Sequence, residues 1–455
     1  MTLPNIIYIH AHDLGRYCEP MGYDIPAPNL MKLAKEGVLF RQCHASAPSC
    51  APSRAALLTG QHPHRCGMLG LPSPPLGYHL NDYNRHLAAF LKRHGYETAL
   101  SGVQHVARAP WAPPRDVLPY DHFLNHEPAG SQEFNPGLTA PAAVEFLMQE
   151  HSRPFFLSVG FLDPHRNNRG DGRVFIESQP SHEPADIEMQ ARYCQPWPHM
   201  PDNAVTRRDM ANFKMGVEMM DQDVGRVLKA LDTPELRDNT IVIFTTDHGP
   251  GICEAKCTLT DRGTGVVLII RGAANTEDGQ GSAFQGGKVV DAMTQHLDLY
   301  PTIADIIGAE PPDGLDGKSL LPLVSSETGE IHETIFTEQT YHYNSRPRPL
   351  RAARTSRHKY IRSYKRDQAR GIDRGPAEEF WAEYGYDDMP FPDEQLYDLV
   401  FDPHEAHNLA EAPTHAQVLD DMRQLMDRWM KNTDDPLIDG IIPDPPETLK
   451  EFLNE

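Results

Sequence analysis

Short, almost wholly apolar runs alternate with longer stretches of helical periodicity along the first two thirds of the chain. The runs at 5–9, 97–101, 154–160, 240–245 and 266–270 are rich in β-branched and aromatic residues. They carry too few polar positions for a strand with one wet face, so they read as buried strands. Between them, "NLMKLAKEG", "HLAAFLKRHG" and "MANFKMGVEMMDQDVGRVLKAL" have helical spacing, with Gly37 and Gly95 placed to end the first two. This alternation predicts an α/β fold: a large, mostly parallel or mixed sheet sandwiched by helices. Ligands of such sheets gather at the carboxyl ends of the strands.

Near residue 330 the pattern changes. "SRPRPLRAARTSRHKYIRSYKR" is basic, with alternating strand signals on either side of a turn. "EQLYDLVFDPHEAHNLA" and an amphipathic helix, "HAQVLDDMRQLMDRWMKN", follow. These predict a smaller C-terminal α+β domain with an antiparallel sheet, dividing the chain into 1–345 and 346–455. "PLIDGIIPDPPETL" reads as an extended tail on the surface.

Composition narrows the function classes. The 455 residues carry a net charge of −22, which disfavours nucleic acid and an anionic membrane surface as partners. An anionic substrate would need a locally basic pocket. The cysteines at 18, 43, 50, 66, 194, 253 and 257 form no CxxC pair, so they read as reduced thiols. "MTLPNIIYIHAHD" runs into the first strand with no basic and apolar leader, and no apolar run is long enough to span a bilayer. A cytoplasmic location is therefore the expectation.

Candidate chemistry sits at three strand ends. His10, His12 and Asp13 follow the first strand; Asp163 and His165 follow "PFFLSVGFL"; Asp247 and His248 follow "TIVIFTT". Carboxylates at the ends of parallel strands face one crevice and repel unless a cation joins them. Asp13, Asp247 and His248 are thus a candidate site for one divalent ion. Two carboxylates with a neutral imidazole suit Mn²⁺, Zn²⁺ or Ca²⁺, the imidazole pulling away from Ca²⁺. For any single histidine a capped turn or a surface position is the plainer reading. A further oddity is "SCAPSRAALLTGQ", where Cys50 stands at the mouth of a helical pattern. A disulfide, a buried core thiol and a chemically modified residue all remain open for it.

With these residues in view, the chain resembles the formylglycine-dependent sulfatases of the alkaline phosphatase superfamily. Cys50, Pro52, Ser53 and Arg54 match their Cys-x-Pro-Ser-Arg signature, and "LLTG" at 57–60 follows as in the family. "TIVIFTTDHG", "DLYPTIADIIG", "LDGKSLLPLV" and "LYDLVFDPHEAHNLA" have family counterparts too. "RPFFLSVGFLDPHR" and "WMKNTDDPLI" look most like the heparan N-sulfatase (sulfamidase) branch.

The resemblance implies an alkaline phosphatase-like fold with 1–345 as catalytic domain, and oxidation of Cys50 to 3-oxoalanine (formylglycine) by a formylglycine-generating enzyme. Hydrated, that aldehyde has one oxygen to attack sulfur and another to expel sulfate. It also implies one divalent ion, Ca²⁺ in the family, on Asp13, Asp247, residue 50 and His248, with Arg54 holding the diol and the carboxylates. His105 matches the proton-relaying histidine. His165 matches the one that contacts sulfate and protonates the leaving group, and Lys256 the cation on sulfate and the leaving-group oxygen.

Two positions depart from the family. His12 stands where most members have the first of two aspartates, and Val103 where most have a lysine. His12 is accordingly expected either as a ligand or as a donor that orients Asp13. Mn²⁺ or Zn²⁺ becomes an alternative to Ca²⁺. The expected reaction is hydrolysis of a small anionic sulfate ester or sulfamate, such as that of a carbohydrate. Alternatives are a phosphonate monoester or phosphodiester hydrolase, an enzyme doing both, and a non-catalytic binding protein. Residues 166–200, "NSRPRPLR", Tyr341 and His342 are expected at the substrate rim. A homo-oligomer is compatible with all of this.

Overall fold

The apolar runs of the first two thirds become the middle of one eight-stranded sheet in the computed structural model, which describes residues 3–108, 115–125, 135–166, 175, 187–273, 281–325, 329–343, 346–365 and 375–446. Its strands are β1 (Asn5–Ala11), β2 (Val38–His44), β3 (Glu97–Gly102), β4 (His122–Phe123), β5 (Phe155–Gly160), β6 (Thr240–Thr246), β7 (Gly265–Arg271) and β8 (Lys288–Gln295). The order is β4-β3-β5-β1-β6-β7-β2-β8. Only the pairs that involve β7 are antiparallel, so the sheet is mixed as expected.

Helices cover both faces, which is why β1, β6 and β7 are buried along their whole length. On one face Tyr8, Phe40, Phe156 and Ile243 pack with Leu57 and Leu58 of the Cys50–Thr59 helix. On the other, Ile7, Ile9 and Phe244 meet Phe213, Val217 and Val224 of the Ala204–Ala230 helix. Gly95, at φ +89°, follows the helix Leu87–Arg93 as anticipated. Gly37 acts differently: its φ is −107°, and a Cβ there would lie 2.4 Å from the Ile270 carbonyl oxygen. Close approach to β7 selects that glycine. Among the described residues no helix is long and apolar enough to cross a membrane.

A second, antiparallel sheet has the order β12-β11-β10-β9, made of β9 (Ile335–Gln339), β10 (Leu350–Arg354), β11 (His358–Ser363) and β12 (Glu394–Asp398). The Ala416–Asn432 helix buries Leu419, Met422, Met426, Trp429 and Met430 against Ala353, Tyr360 and Leu396 of this sheet. Of the segment after it, expected to be extended, Pro436–Asp439 forms a turn with Leu437 buried, residues 441–446 have no regular secondary structure, and 447–449 lie outside the described residues. An ion pair explains the turn. Asp435 Oδ2 accepts from Arg351 Nε at 2.5 Å, Arg351 Nε lies 3.3 Å from Glu338, and Glu338 Oε2 is 2.6 Å from His64 Nδ1.

This buried network makes stability depend on pH. Burial opposes ionisation of Glu338, but His64 and Arg351 outweigh it and hold the carboxyl down at about 2. Burial also opposes protonation of His64, and Glu338 outweighs it, raising that imidazole. The His64 contribution is complete below its unfolded pKa of about 6.5 and fades as pH rises through the higher folded value. The Glu338 contribution is complete above about 4.5 and fades as pH falls toward about 2. The stability difference between wild type and His64→Gln should therefore be largest below about pH 6.5 and shrink as pH rises above it. A difference that does not change with pH would contradict the assignment.

Candidate active site

β1 and β6 are parallel neighbours with Ala11 opposite Thr246, so the turns that follow them emerge side by side. The first carries His12 and Asp13, the latter at φ +54°; the second carries Asp247 and His248. Backbone N–H groups of Asp13 and His248 donate to Asp247 Oδ1 at 2.9 and 3.0 Å, which ties the two turns into one unit. Ligand-capable atoms of His12, Asp13, Cys50 and Asp247 lie within 4.8 Å of one another, all buried. His248 Nδ1 donates to the Gly249 carbonyl at 2.8 Å, because a carbonyl can only accept. Its Nε2 therefore keeps a lone pair, 3.5 Å from Asp13 Oδ1, 3.8 Å from Asp247 Oδ2 and 3.3 Å from Cys50 Sγ.

Cys50 is the first residue of a ten-residue helix, Cys50–Thr59, every member of which is buried. Ser49 precedes it in extended conformation and accepts the first helical hydrogen bond, from Ser53 N at 3.0 Å. Pro52 sits in the first turn, where no N–H is required. The helix thus aims its dipole and first-turn donors at the carboxylate cluster. Burial pushes the Cys50 thiol pKa up, so as a thiol it is neutral and a poor nucleophile. Among the described residues all seven cysteines are buried and unbridged.

Arg54 lies one helical turn further on. Its Nε and Nη2 donate to Asp247 Oδ2 at 3.3 and 3.1 Å, and its Nη1 reaches the Val103 carbonyl at 3.5 Å. Burial alone would raise the Asp247 carboxyl, yet His12, His248 and Arg54 hold it well below the usual range. Lys256 Nζ donates to Asp13 Oδ2 at 2.9 Å and lies 3.5 Å from His165 Nε2. Burial is again overcome, here by Lys256 first, so Asp13 stays ionised. His165 Nδ1 donates to the Arg166 carbonyl at 2.6 Å, which turns its Nε2 lone pair toward Lys256.

His12 is the hub of an imidazole cluster. Its ring centroid is 4.5 Å from that of His165, 5.5 Å from His105 and 6.3 Å from His248. His12 Nδ1 lies 2.7 Å from Asp13 Oδ1 and 3.3 Å from Asp247 Oδ2. Burial outweighs both carboxylates and brings the His12 pKa down to about 4. Burial likewise lowers that of His105, leaving a neutral ring.

The structure therefore brings Asp13, Cys50, Arg54, His105, His165, Asp247, His248, Lys256 and His12 to one place. It does not bring Tyr341 there: the hydroxyl donates to the Pro443 carbonyl at 3.1 Å, and the ring packs on Tyr78. His342 comes closer, its Nδ1 lying 2.8 Å from the Oγ of Ser49, next to Cys50. Arg351 of "NSRPRPLR" is committed to Glu338 and Asp435, so it is unavailable as a rim cation. Residues 167–174 and 176–186 of the expected rim lie outside the described residues, as do 344 and 345. Val103 is buried against Leu162.

Two supporting groups are less legible in the sequence. Arg166 donates to Asp209 at 2.9 and 2.6 Å and to the Gly251 carbonyl at 2.7 Å. It thus pins the loop of His165 to the loop of Lys256, and its only sequence signal is adjacency to His165. His296 lies 3.0 Å from Thr245 Oγ1 and 3.4 Å from Ser53 Oγ, while Ser53 donates to the Asp247 carbonyl at 2.6 Å. No local pattern around residue 296 marks it, because its partners are some 50 and 240 positions away.

A family model described as Sulfatase matches residues 4–309, and one described as N-sulphoglucosamine sulphohydrolase, C-terminal, matches residues 281–375. The chain is similar to N-sulphoglucosamine sulphohydrolase of Homo sapiens, at 28% identity over 92% of this chain and 88% of that protein. It is also similar to an ulvan-active sulfatase of Formosa agariphila, at 28% identity over 96% and 82% of the respective chains. A solved structure in complex with its substrate D-glucosamine-2-N,6-O-disulfate shares the fold. Its TM-score is 0.70 at 20% identity, covering 95% of this chain and 99% of that one.

Proposed function

From the premise that this chain belongs to the sulfatase family and is a sulfuric ester hydrolase, we propose that it cleaves a sulfate ester or sulfamate on a sugar, using a formylglycine derived from Cys50 and one divalent ion. The observation that carries this reading is the position of Cys50 Sγ, at a helix N-terminus and within 4.8 Å of ligand atoms on His12, Asp13 and Asp247. That sulfur marks the place of the attacking oxygen. A neutral buried thiol has little use there, whereas a hydrated aldehyde supplies a nucleophilic hydroxyl and a second hydroxyl from which to release sulfate. The bound ion supplies positive charge to acidify that hydroxyl and to screen the two carboxylates.

The chain's own groups divide the remaining work. Asp13, Asp247 and His248 would hold the ion. Arg54 fixes Asp247 and adds charge beside residue 50. His105, neutral through burial, takes a proton from the diol. Lys256 and His165, 3.5 Å apart, receive the sulfate and its leaving-group atom, Lys256 as a fixed cation and His165 as proton donor once its Nε2 has taken up a proton. Maturation requires a formylglycine-generating enzyme as partner.

The substrate class follows from what the relatives are named for. The C-terminal family model and the human relative both bear the name N-sulphoglucosamine sulphohydrolase, which makes glucosamine N-sulfate the first substrate to test. A second reading, hydrolysis of phosphonate monoesters or phosphodiesters, is favoured by one observation. His12 replaces a carboxylate and Val103 a lysine, so the site loses one charge of each sign. Turnover should be compared on an aryl sulfate, sugar O-sulfates, glucosamine N-sulfate and phosphonate esters. Release of sulfate from a sugar at the highest kcat/KM is expected. Phosphonate cleavage with no sulfate release would replace the first reading with the second.

A further inference from the structure

The donor set around His12 does not suit the ion that family resemblance implies. Calcium takes about six to eight oxygen ligands and uses carboxylates in bidentate fashion. Here every oxygen of both carboxylates already accepts a hydrogen bond. Asp13 Oδ2 accepts from Lys256 at 2.9 Å, and Asp247 Oδ2 from Arg54 at 3.1 and 3.3 Å. Asp247 Oδ1 accepts from two backbone N–H groups. Little carboxylate oxygen remains for a hard cation that demands many.

Nitrogen, by contrast, is well supplied. His248 presents its Nε2 lone pair to the cluster because Nδ1 is spent on Gly249. His12 Nδ1 donates to Asp13 Oδ1 at 2.7 Å and lies 3.3 Å from Asp247 Oδ2, so ligation through Nδ1 moves the ring proton to Nε2. An imidazole in that position faces the same space that a cation joining Asp13 and Asp247 must fill. It is also 1% exposed, so no solvent competes for it. Two imidazoles, two carboxylates whose oxygens are shared with hydrogen-bond donors and one residue-50 oxygen form a mixed N/O set of low coordination number, which suits Mn²⁺ or Zn²⁺ better than Ca²⁺.

We propose that His12 is a metal ligand through Nδ1 and that it makes this site select a nitrogen-accepting divalent ion of the Mn²⁺–Zn²⁺ class over Ca²⁺. This rests on the single-ion site described under Proposed function. A sulfatase carrying a carboxylate at this position offers an additional hard oxygen. This chain offers a borderline nitrogen and one negative charge fewer.

The test is competition for the empty site, read as bound metal and independent of turnover. The full chain is stripped with chelator, equilibrated with equimolar Ca²⁺, Mn²⁺ and Zn²⁺, and its metal content is measured by inductively coupled plasma mass spectrometry. Wild type should retain one ion, with Mn²⁺ and Zn²⁺ together exceeding Ca²⁺ on the order of tenfold or more. His12→Asp should swing the ratio toward Ca²⁺. His12→Ala should lower Mn²⁺ and Zn²⁺ retention more than Ca²⁺ retention. Cys50→Ala should keep the wild-type preference, since an unconverted thiolate would otherwise account for captured Zn²⁺. Wild type that retains Ca²⁺, a ratio unmoved in His12→Ala, or a preference lost in Cys50→Ala would each overturn the proposal. Asp247→Ala separates the two levels of the reading. If it abolishes retention while wild type prefers Ca²⁺, the site stands and the selection by His12 falls. If retention is the same without Asp247, the site itself is misplaced.

Discussion

Cys50→Ala should lower turnover by on the order of 10⁴-fold or more on every substrate while the protein stays folded. The size of the effect follows from removing the nucleophile itself, since no other described side chain places a convertible group at a helix N-terminus beside the carboxylates. The fold should survive because the change is small. Cys50 is 3% exposed, its Sγ makes one recorded contact, with His248, and alanine keeps the first turn of the helix. Unfolding midpoint and turnover measured on the same preparation check both halves. A variant with wild-type turnover would place the nucleophile elsewhere.

Lys256→Ala should reduce kcat by about a hundredfold, or about 3 kcal/mol, with a smaller change in KM. Lys256 is buried and its Nζ is one of few cations in the site besides Arg54, because the position usually held by a second lysine is Val103. Charge that develops on the departing sulfate oxygen therefore falls largely on Lys256. Its loss also strips Asp13 Oδ2 of its partner at 2.9 Å. Lys256→Arg keeps the charge and should restore part of kcat, whereas a purely structural role would show as a lowered melting temperature in both variants. Near wild-type kcat in Lys256→Ala would mean that the site is drawn in the wrong place.

Much of this architecture can be read in the chain, and the failures have physical causes. Four of the five buried strands are nearly continuous apolar runs, and burial on both faces is what makes such runs conspicuous; β3, ETALSG, carries Glu97, Thr98 and Ser101 and is the weaker signal. β2 and β8 escape that reading because β8 forms one edge of the sheet and β2 lies next to it. Arg41 of β2 is exposed and pairs with Asp291 of β8, so both strands carry polar residues that interrupt the pattern. The residues of the carboxylate and histidine cluster are legible because they follow strands that end at the same side of the sheet. Tyr341 misleads because an aromatic beside a basic segment looks like a binding rim. Its hydroxyl in fact anchors the chain at Pro443. His296 and Arg351 act through partners remote in sequence, and no local window contains that information.

The most direct test of the account is to measure, in one series of samples, the fraction of residue 50 converted to the aldehyde and the rate of aryl sulfate hydrolysis. Protein made with and without a co-expressed formylglycine-generating enzyme supplies the series, and peptide mass spectrometry supplies the fraction. Turnover should rise in proportion to the aldehyde fraction and extrapolate to zero for the unmodified thiol. Full turnover from protein whose Cys50 is wholly unmodified would contradict the account.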